Sequence, residues 1–168
     1  MINIHTKETS AVDDIDLSLL RHLQQDASLS NQALADAVGV SPATCHRRVK
    51  ALHEGGYIEK QVALLSPDKV AEALGWGLHA LVEVSLDTQA HEWLDAFERK
   101  ACAHTAVQQC WRVSPGPDFV LVLHVPDMPA YQAVSAELFT QDSQVRQVRA
   151  FFAVKRAKFG GGLNLGEG

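Results

Sequence analysis

The chain has 168 residues, 46% of them hydrophobic, and a formal net charge of −5. That length suits one ordinary domain or two small ones, and the apolar share is enough for a packed core, which excludes gross disorder. The acidic balance excludes wholesale coating of nucleic acid or of an anionic membrane, so a nucleic-acid site has to be a local basic patch.

No apolar run reaches the roughly 18 residues that a membrane span needs. The opening "MINIHTKETSAV" has no apolar core followed by a small-residue cleavage site, so it does not read as a secretion leader. Cys45, Cys102 and Cys110 make an odd number of cysteines, which disfavours a disulfide framework and fits a reducing cytoplasm.

The first third reads as three short helices. In "DDIDLSLLRHLQQD", Ile15, Leu19, Leu20 and Leu23 recur at helical spacing, and the leading acids favour the helix dipole. In "LSNQALADAVG", Ser30 is a candidate N-cap, Leu29 and Leu34 sit where a hydrophobic staple needs them, and Gly39 stands where a left-handed C-cap belongs. Ser41 then caps a third helix over 41–54, with Pro42 at its first position, where no N–H is missed, and Val40 and Cys45 as a second staple. That helix ends at Gly55-Gly56. Two helices joined by a turn this short form a helix-turn-helix. "YIEKQVALL" reads as an extended segment, and "SPDKVAEALGWG", rich in breakers, as a linker.

The second half changes period. "LHALVEVSL" alternates, with Leu78, Ala80, Val82, Val84 and Leu86 on one strand face. "AHEWLDAFERKA" is helical, with Trp93, Leu94, Phe97 and Ala101 as its apolar stripe. "VQQCWRV" and "DFVLVLHV" are strands joined through "SPGP", a link short enough for a hairpin. "MPAYQAVSAELF" is a helix with Tyr131, Val134 and Leu138 on one side, and "VRQVRAFFAVK" is the last strand. The order β-α-β-β-α-β is a ferredoxin-like unit. The tail "GGGLNLGEG" has no pattern and is expected to be loose.

The third helix carries the chemistry. At 100° per residue, Cys45, Val49 and Leu52 face inward. Ala43, Arg47 and Lys50 face the opposite way, with Thr44 and His46 beside them. Arg48 lies nearer the packed side, within reach of a phosphate. A recognition helix needs such a face: short residues so that it sits deep in the major groove, and Arg, His or Thr to reach base edges. Residues 41–50 carry +3, from Arg47, Arg48 and Lys50, in a chain of opposite overall sign. An ordinary solvated helix face would also be basic. The Gly39 turn, the Ser41-Pro42 start and the concentration of charge on this helix favour DNA binding.

Other constellations are weaker. Cys102, His104 and Cys110 fit no usual zinc spacing and lack an evident fourth ligand, so core or surface roles are favoured. His79 and His124 lie within strand patterns and read as structural, although two imidazoles on one sheet would make assembly depend on pH. Nucleophile-elbow, phosphate-loop and His-Glu-x-x-His patterns are absent. No catalytic residue, metal site or cofactor is assigned, and the chain is expected not to be an enzyme.

The whole chain, from about Val12 to Phe159, resembles the Lrp/AsnC family, the leucine-responsive and asparagine-operon regulators. The resemblance is carried by "DDIDLSLLRHLQQDASLSNQALADAVGVSPATCHRRVKALHEGGYIEKQVALLSP", by "SPGPDFVLVLHVPDMPAYQ" and by the terminal "VKRAKF". It implies an α+β fold: an N-terminal winged helix-turn-helix domain (12–64), a linker (65–77), a ferredoxin-like dimerisation and effector-binding domain (78–159) and a flexible tail (160–168). It implies a cytoplasmic bacterial or archaeal transcription regulator. Such proteins bind pseudo-palindromic double-stranded DNA as homodimers, often build octamers, and respond to a small effector, usually an amino acid. By position, Ser41 opens the DNA-binding helix, Ala43, Thr44, His46 and Arg47 read bases, and Arg48 and Lys50 contact phosphates. The hairpin loop Ser114, Pro115, Gly116 and Asp118 would lie at the effector site. This loop departs from the family, which commonly has Gly where Pro115 stands and Tyr where Phe119 stands. Proline removes an N–H that a ligand carboxylate would use, and Gly116 supplies freedom one place later. A rigid hairpin turn remains the alternative reading of "SPGPD". An enzyme reading comes by analogy with sirohaem decarboxylases, which look similar to this family; His79, His124, Arg112 and Arg149 would have to line a tetrapyrrole cleft.

Overall fold

The computed structural model describes residues 12–75 and 77–166. The expectation about a leader falls on residues 1–11, outside the described residues, as do Trp76 of the linker and the last two residues of the tail. Two compact units are formed, one by the chain up to residue 63 together with residues from 158 onward, the other by 64–157.

The first unit is three helices, α1 (Asp14–Gln25), α2 (Asn31–Val38) and α3 (Pro42–Glu54). Each starts on a side chain that satisfies an orphan N–H. Asp13 and Asp16 form a reciprocal capping box, Ser30 accepts from the Ala33 amide, and Ser41 accepts from the Thr44 amide. Gly39 ends α2 at φ 70°, in the left-handed region where a Cβ would be strained, and its amide turns back to Ala35 and Asp36. Asn31 Nδ2 then donates to the Pro42 carbonyl at 2.9 Å, which fixes the turn between α2 and α3. Leu19, Leu34, Ala35, Cys45 and Leu52 form the core, with Ile15, Leu29, Val40, Val49 and Ile58 packed around it. Fully burying one such leucine stabilises by about 1.5–3 kcal/mol. The segment after α3, read as extended, forms no strand up to Ser66.

The tail departs from expectation. Residues 163–166 lie along α1. Arg21 donates to the carbonyls of Leu165 and Gly166, and Gln24 exchanges two hydrogen bonds with the backbone of Leu163. A featureless sequence is held here through its backbone, which no side-chain pattern reports.

In the second unit, the stretch read as linker contains a further helix, α4 (Pro67–Leu74). Its "breakers" are caps: Ser66 accepts from the Lys69 amide, Pro67 takes the first turn, and Gly75 closes in the left-handed region at φ 71°. The strands are β1 (Leu78–Leu86), β2 (Val107–Arg112), β3 (Phe119–Val125) and β4 (Val145–Phe152), all pairing antiparallel in the order β2-β3-β1-β4. Helices α5 (His91–Ala103) and α6 (Met128–Ser135) cover one face, and α6 runs on into a π-helical turn over Ala136–Thr140. The core lies between sheet and helices, from Ala80, Val82, Val84, Phe119, Leu121 and Leu123 to Leu94, Phe97, Tyr131 and Leu138. Wider winding in the π turn buries the adjacent Leu138 and Phe139 together. The other face carries Leu81, Trp111, Val120, Val122 and Phe151 by strand alternation and register, and Trp111 on it is 58% exposed.

Candidate functional site

The inward face of α3 is the expected one, with Cys45 and Leu52 buried and Val49 half-buried. Ala43, His46, Arg47 and Lys50 are exposed together, and Thr44 is half-buried, its hydroxyl accepting from Ser41 Oγ at 2.9 Å. His53, seven residues past His46, extends the same exposed face and was not singled out in the sequence. Lys50 Nζ lies 3.6 Å from Glu54, an exposed i,i+4 pair worth about 0.3–0.5 kcal/mol and readily exchanged for a phosphate.

Arg48 does not join that face. Its Nη1 sits 2.8 Å from Asp13 Oδ2 and 2.9 Å from Asp16 Oδ1, so the guanidinium ties α3 to the capping box of α1. Asp13 is held below the ordinary carboxylate value, first by the Asp16 amide and further by Arg48. Arg48, expected at a phosphate, is held in an ion pair with the start of α1, because 100° of helix rotation puts residue 48 over that end. Net positive charge on the exposed face comes from Arg47 and Lys50.

The hairpin loop is a turn anchored through its backbone and through Asp118. Ser114 and Pro115, joined by a cis peptide, are exposed, and Gly116 takes φ 128°, a conformation that glycine alone adopts without strain. Asp118 is buried. Its Oδ2 accepts from the Leu86 amide at 2.7 Å, its amide donates to Val84, and its carbonyl accepts from Val113. That carboxylate anchors the hairpin to the end of β1.

Beside the loop is a cleft of about 260 Å³ lined by Glu83, Ser85, Gly116, Pro117, Arg146, Gln147 and Arg149. Of the four loop residues singled out in the sequence, Gly116 lines it. Glu83 and Arg149 face each other across β1 and β4, with Arg149 Nε 3.2 Å from Glu83 Oε2 and its guanidinium 5.4 Å from the Phe151 ring centroid. The signal for these residues was polar positions inside alternating strands. Only the pairing of first and last strands brings them together.

The remaining candidates do not assemble into the metal or tetrapyrrole sites considered from the sequence. His104 Nδ1 accepts from the Ala106 amide and Nε2 faces Glu137 at 3.6 Å, so it does not turn toward the cysteines. Among the described residues, no three His, Cys, Asp or Glu side chains converge as metal ligands. The His79 and His124 rings lie 4.3 Å apart, tilted, where β1 meets β3, while Arg112, on β2 beside the start of β3, grips Asp95 and Glu98 of α5 at 2.7 Å each. The four groups required for a tetrapyrrole cleft therefore do not meet. Among the described residues no helix is long and apolar enough to cross a membrane.

A capped basic helix on a trihelical unit, followed by a ferredoxin-like domain with a polar cleft, defines a two-domain DNA-binding regulator. Comparison with known proteins agrees. A winged helix-turn-helix DNA-binding family matches residues 12–59, and the Lrp/AsnC ligand binding domain matches residues 79–163. An HTH-type transcriptional regulator of Haemophilus influenzae is 35% identical, over 92% of this chain and 89% of its own length. The leucine-responsive regulatory protein of Rhizobium meliloti is 35% identical, over 88% of this chain and 92% of that one. The L-Met complex of a transcriptional regulator of Neisseria meningitidis superposes with a TM-score of 0.79 at 28% identity, covering 90% of this chain and 95% of that chain. The chain belongs to the Lrp/AsnC family of DNA-binding transcriptional regulators.

Proposed function

We propose that a homodimer of this chain reads a pseudo-palindromic operator with Ala43, Thr44, His46 and Arg47 of α3, that Lys50 neutralises a phosphate, and that an α-amino acid sets the affinity. The observation that carries this reading is the exposed face of α3, short at its start and basic beyond, behind a capped turn. The amino-acid part draws support from the cleft. Two guanidiniums suit a carboxylate and Glu83 suits an ammonium, the two ends every α-amino acid presents. The related Neisseria regulator was solved with L-Met. The open sheet face supports the dimer, since an apolar patch around Trp111, Leu81 and Phe151 on a two-fold would bury itself against its own copy. A regulator of this kind acts on the chromosome, in the cytoplasm, without an enzymatic step.

Footprinting of the bound genomic sites tests the DNA reading. Sites sharing a two-fold-related motif with half-sites about one helical turn apart are expected. Binding that shows no preference for any sequence at low ionic strength would overturn it. Thermal shifts against the twenty amino acids test the effector, because a ligand of the folded form raises apparent stability.

A further inference from the structure

Helix α5 and strand β2 run antiparallel, and their facing side chains are matched in pairs. Asp95, Glu98 and Cys102 stand at i, i+3 and i+7 and share one helix face. On β2, Arg112 and Cys110 are two apart and point the same way, toward α5. Arg112 Nη2 takes Asp95 and Glu98, at 2.7 Å each. One helix turn beyond that ion pair, Cys102 of α5 and Cys110 of β2 are the next positions to face each other.

A break in the sheet produces this meeting. Val107 pairs with Leu123 and Cys110 with Leu121, and all four side chains face the helices. Residues three apart in a regular strand face opposite ways. The register shift between Val107 and Gln109 adds the residue that turns Cys110 inward. The short link from α5 is fixed as well: the His104 amide donates to Ala101, the Val107 amide to His104 and the Ala106 amide to the His104 ring. Both thiols are free, Cys102 exposed and Cys110 half-buried.

We propose that Cys102 and Cys110 are a peroxide-responsive dithiol that closes to an intrachain disulfide linking the end of α5 to β2. Cys102, reached by solvent, is the attacking sulfur. Its thiolate forms a bond to one oxygen of a hydroperoxide, the O–O bond breaks, and the departing oxygen takes a proton to leave as water or an alcohol. Cys102 has then lost two electrons to the peroxide and is a sulfenic acid. The Cys110 sulfur attacks it, the S–S bond forms, the S–O bond breaks, and hydroxide leaves as water with the Cys110 proton. Burial, and next the adjacent Cys102, push the Cys110 thiol up to about 12, so Cys110 is the less reactive of the two toward peroxide and exposed Cys102 is oxidised first. In a reducing compartment such a bond is transient, as redox-sensing disulfides are. The third cysteine, Cys45, is buried in the core of the helical unit and takes no part.

The test uses the reduced full-length protein. It is treated with hydrogen peroxide, its free thiols are alkylated, and it is digested without reductant. The expected product is a single cross-linked peptide pair holding Cys102 and Cys110, from protein that runs as one chain on a non-reducing gel, with Cys45 alkylated and the link reversed by dithiothreitol. In Cys110→Ser, a dimedone adduct is expected on Cys102. Wild-type protein in which Cys102 advances to the sulfinic or sulfonic acid while Cys110 stays alkylatable would overturn the proposal. So would cross-links found only between chains. Because the wild type alone separates these outcomes, a variant that folds poorly does not leave the matter open.

Discussion

Arg48 Nη1 and Asp16 Oδ1 are 2.9 Å apart, and the same nitrogen is 2.8 Å from Asp13. One cation on α3 thereby secures both carboxylates of the box that starts α1. Arg48→Ala and Asp16→Ala are each expected to lower the urea midpoint, with the double variant little worse than either single one, since paired groups are not additive. The salt slope of DNA binding should be the same for Arg48→Ala as for wild type. A slope reduced by about one unit would instead make Arg48 a phosphate contact. Asp13, held below its ordinary value, contributes stability that is complete above the unfolded carboxylate value of about 3.9 and is lost as pH falls through the depressed one.

Arg47 and Lys50 share the exposed face but are expected to differ in kind. Arg47→Ala should relax base preference at one position of the half-site and weaken the cognate site by about 1–3 kcal/mol, as loss of a bidentate base contact does. Lys50→Ala should weaken all sequences alike and flatten the salt slope by about one unit. Competition titrations over a set of single-base operator variants distinguish the two.

Asp118 and Arg149 are expected to divide structure from the proposed ligand binding. Asp118→Ala strands the buried Leu86 amide and is expected to destabilise the protein by about 1–3 kcal/mol, read by chemical denaturation. Arg149→Ala leaves the core intact and should abolish the thermal shift given by the effector. A ligand shift that survives Arg149→Ala but disappears in a folded Asp118→Asn would return the site to the hairpin.

Leu81 lies in the middle of the open sheet face, flanked across strands by Val122 and Phe151. If the proposed dimer forms through this face, Leu81→Glu is expected to lower the mass seen by light scattering, because a carboxylate buried there has no partner. An unchanged mass would rule out this face as the dimer contact.

His79 carries a pH dependence. Burial, then the neighbouring His124, then Arg156 disfavour its protonated form, so its folded pKa lies below the ordinary value. The unfolded chain takes up the proton first, near pH 6.5, so this contribution is complete above that value and is lost as pH falls toward the folded pKa. Between about pH 7.5 and about pH 5.5, the urea midpoint should fall more steeply for wild type than for His79→Gln.

Caps and periods were legible because they act over three or four residues. Ser30, Gly39, Ser41 and Pro42 set the helix-turn-helix, and the alternation in Leu78–Leu86 set β1 to the residue. The same rules misfired at α4, where Ser66, Pro67 and Gly75 punctuate a helix and were read as breaking one. Local sequence also determined which side of α3 faces water.

Everything that depends on a partner distant in the chain was decided by tertiary structure. The spacing that made Arg48 look available contains no information about Asp13, 35 residues away. Likewise Asp118 is claimed by Leu86, Glu83 meets Arg149 only because β1 pairs with β4, and a register shift in β2 turns Cys110 toward Cys102. A charge or a thiol is fixed in type by its codon, but its role follows from which groups the packed core presses against it, and that packing is a property of the whole chain.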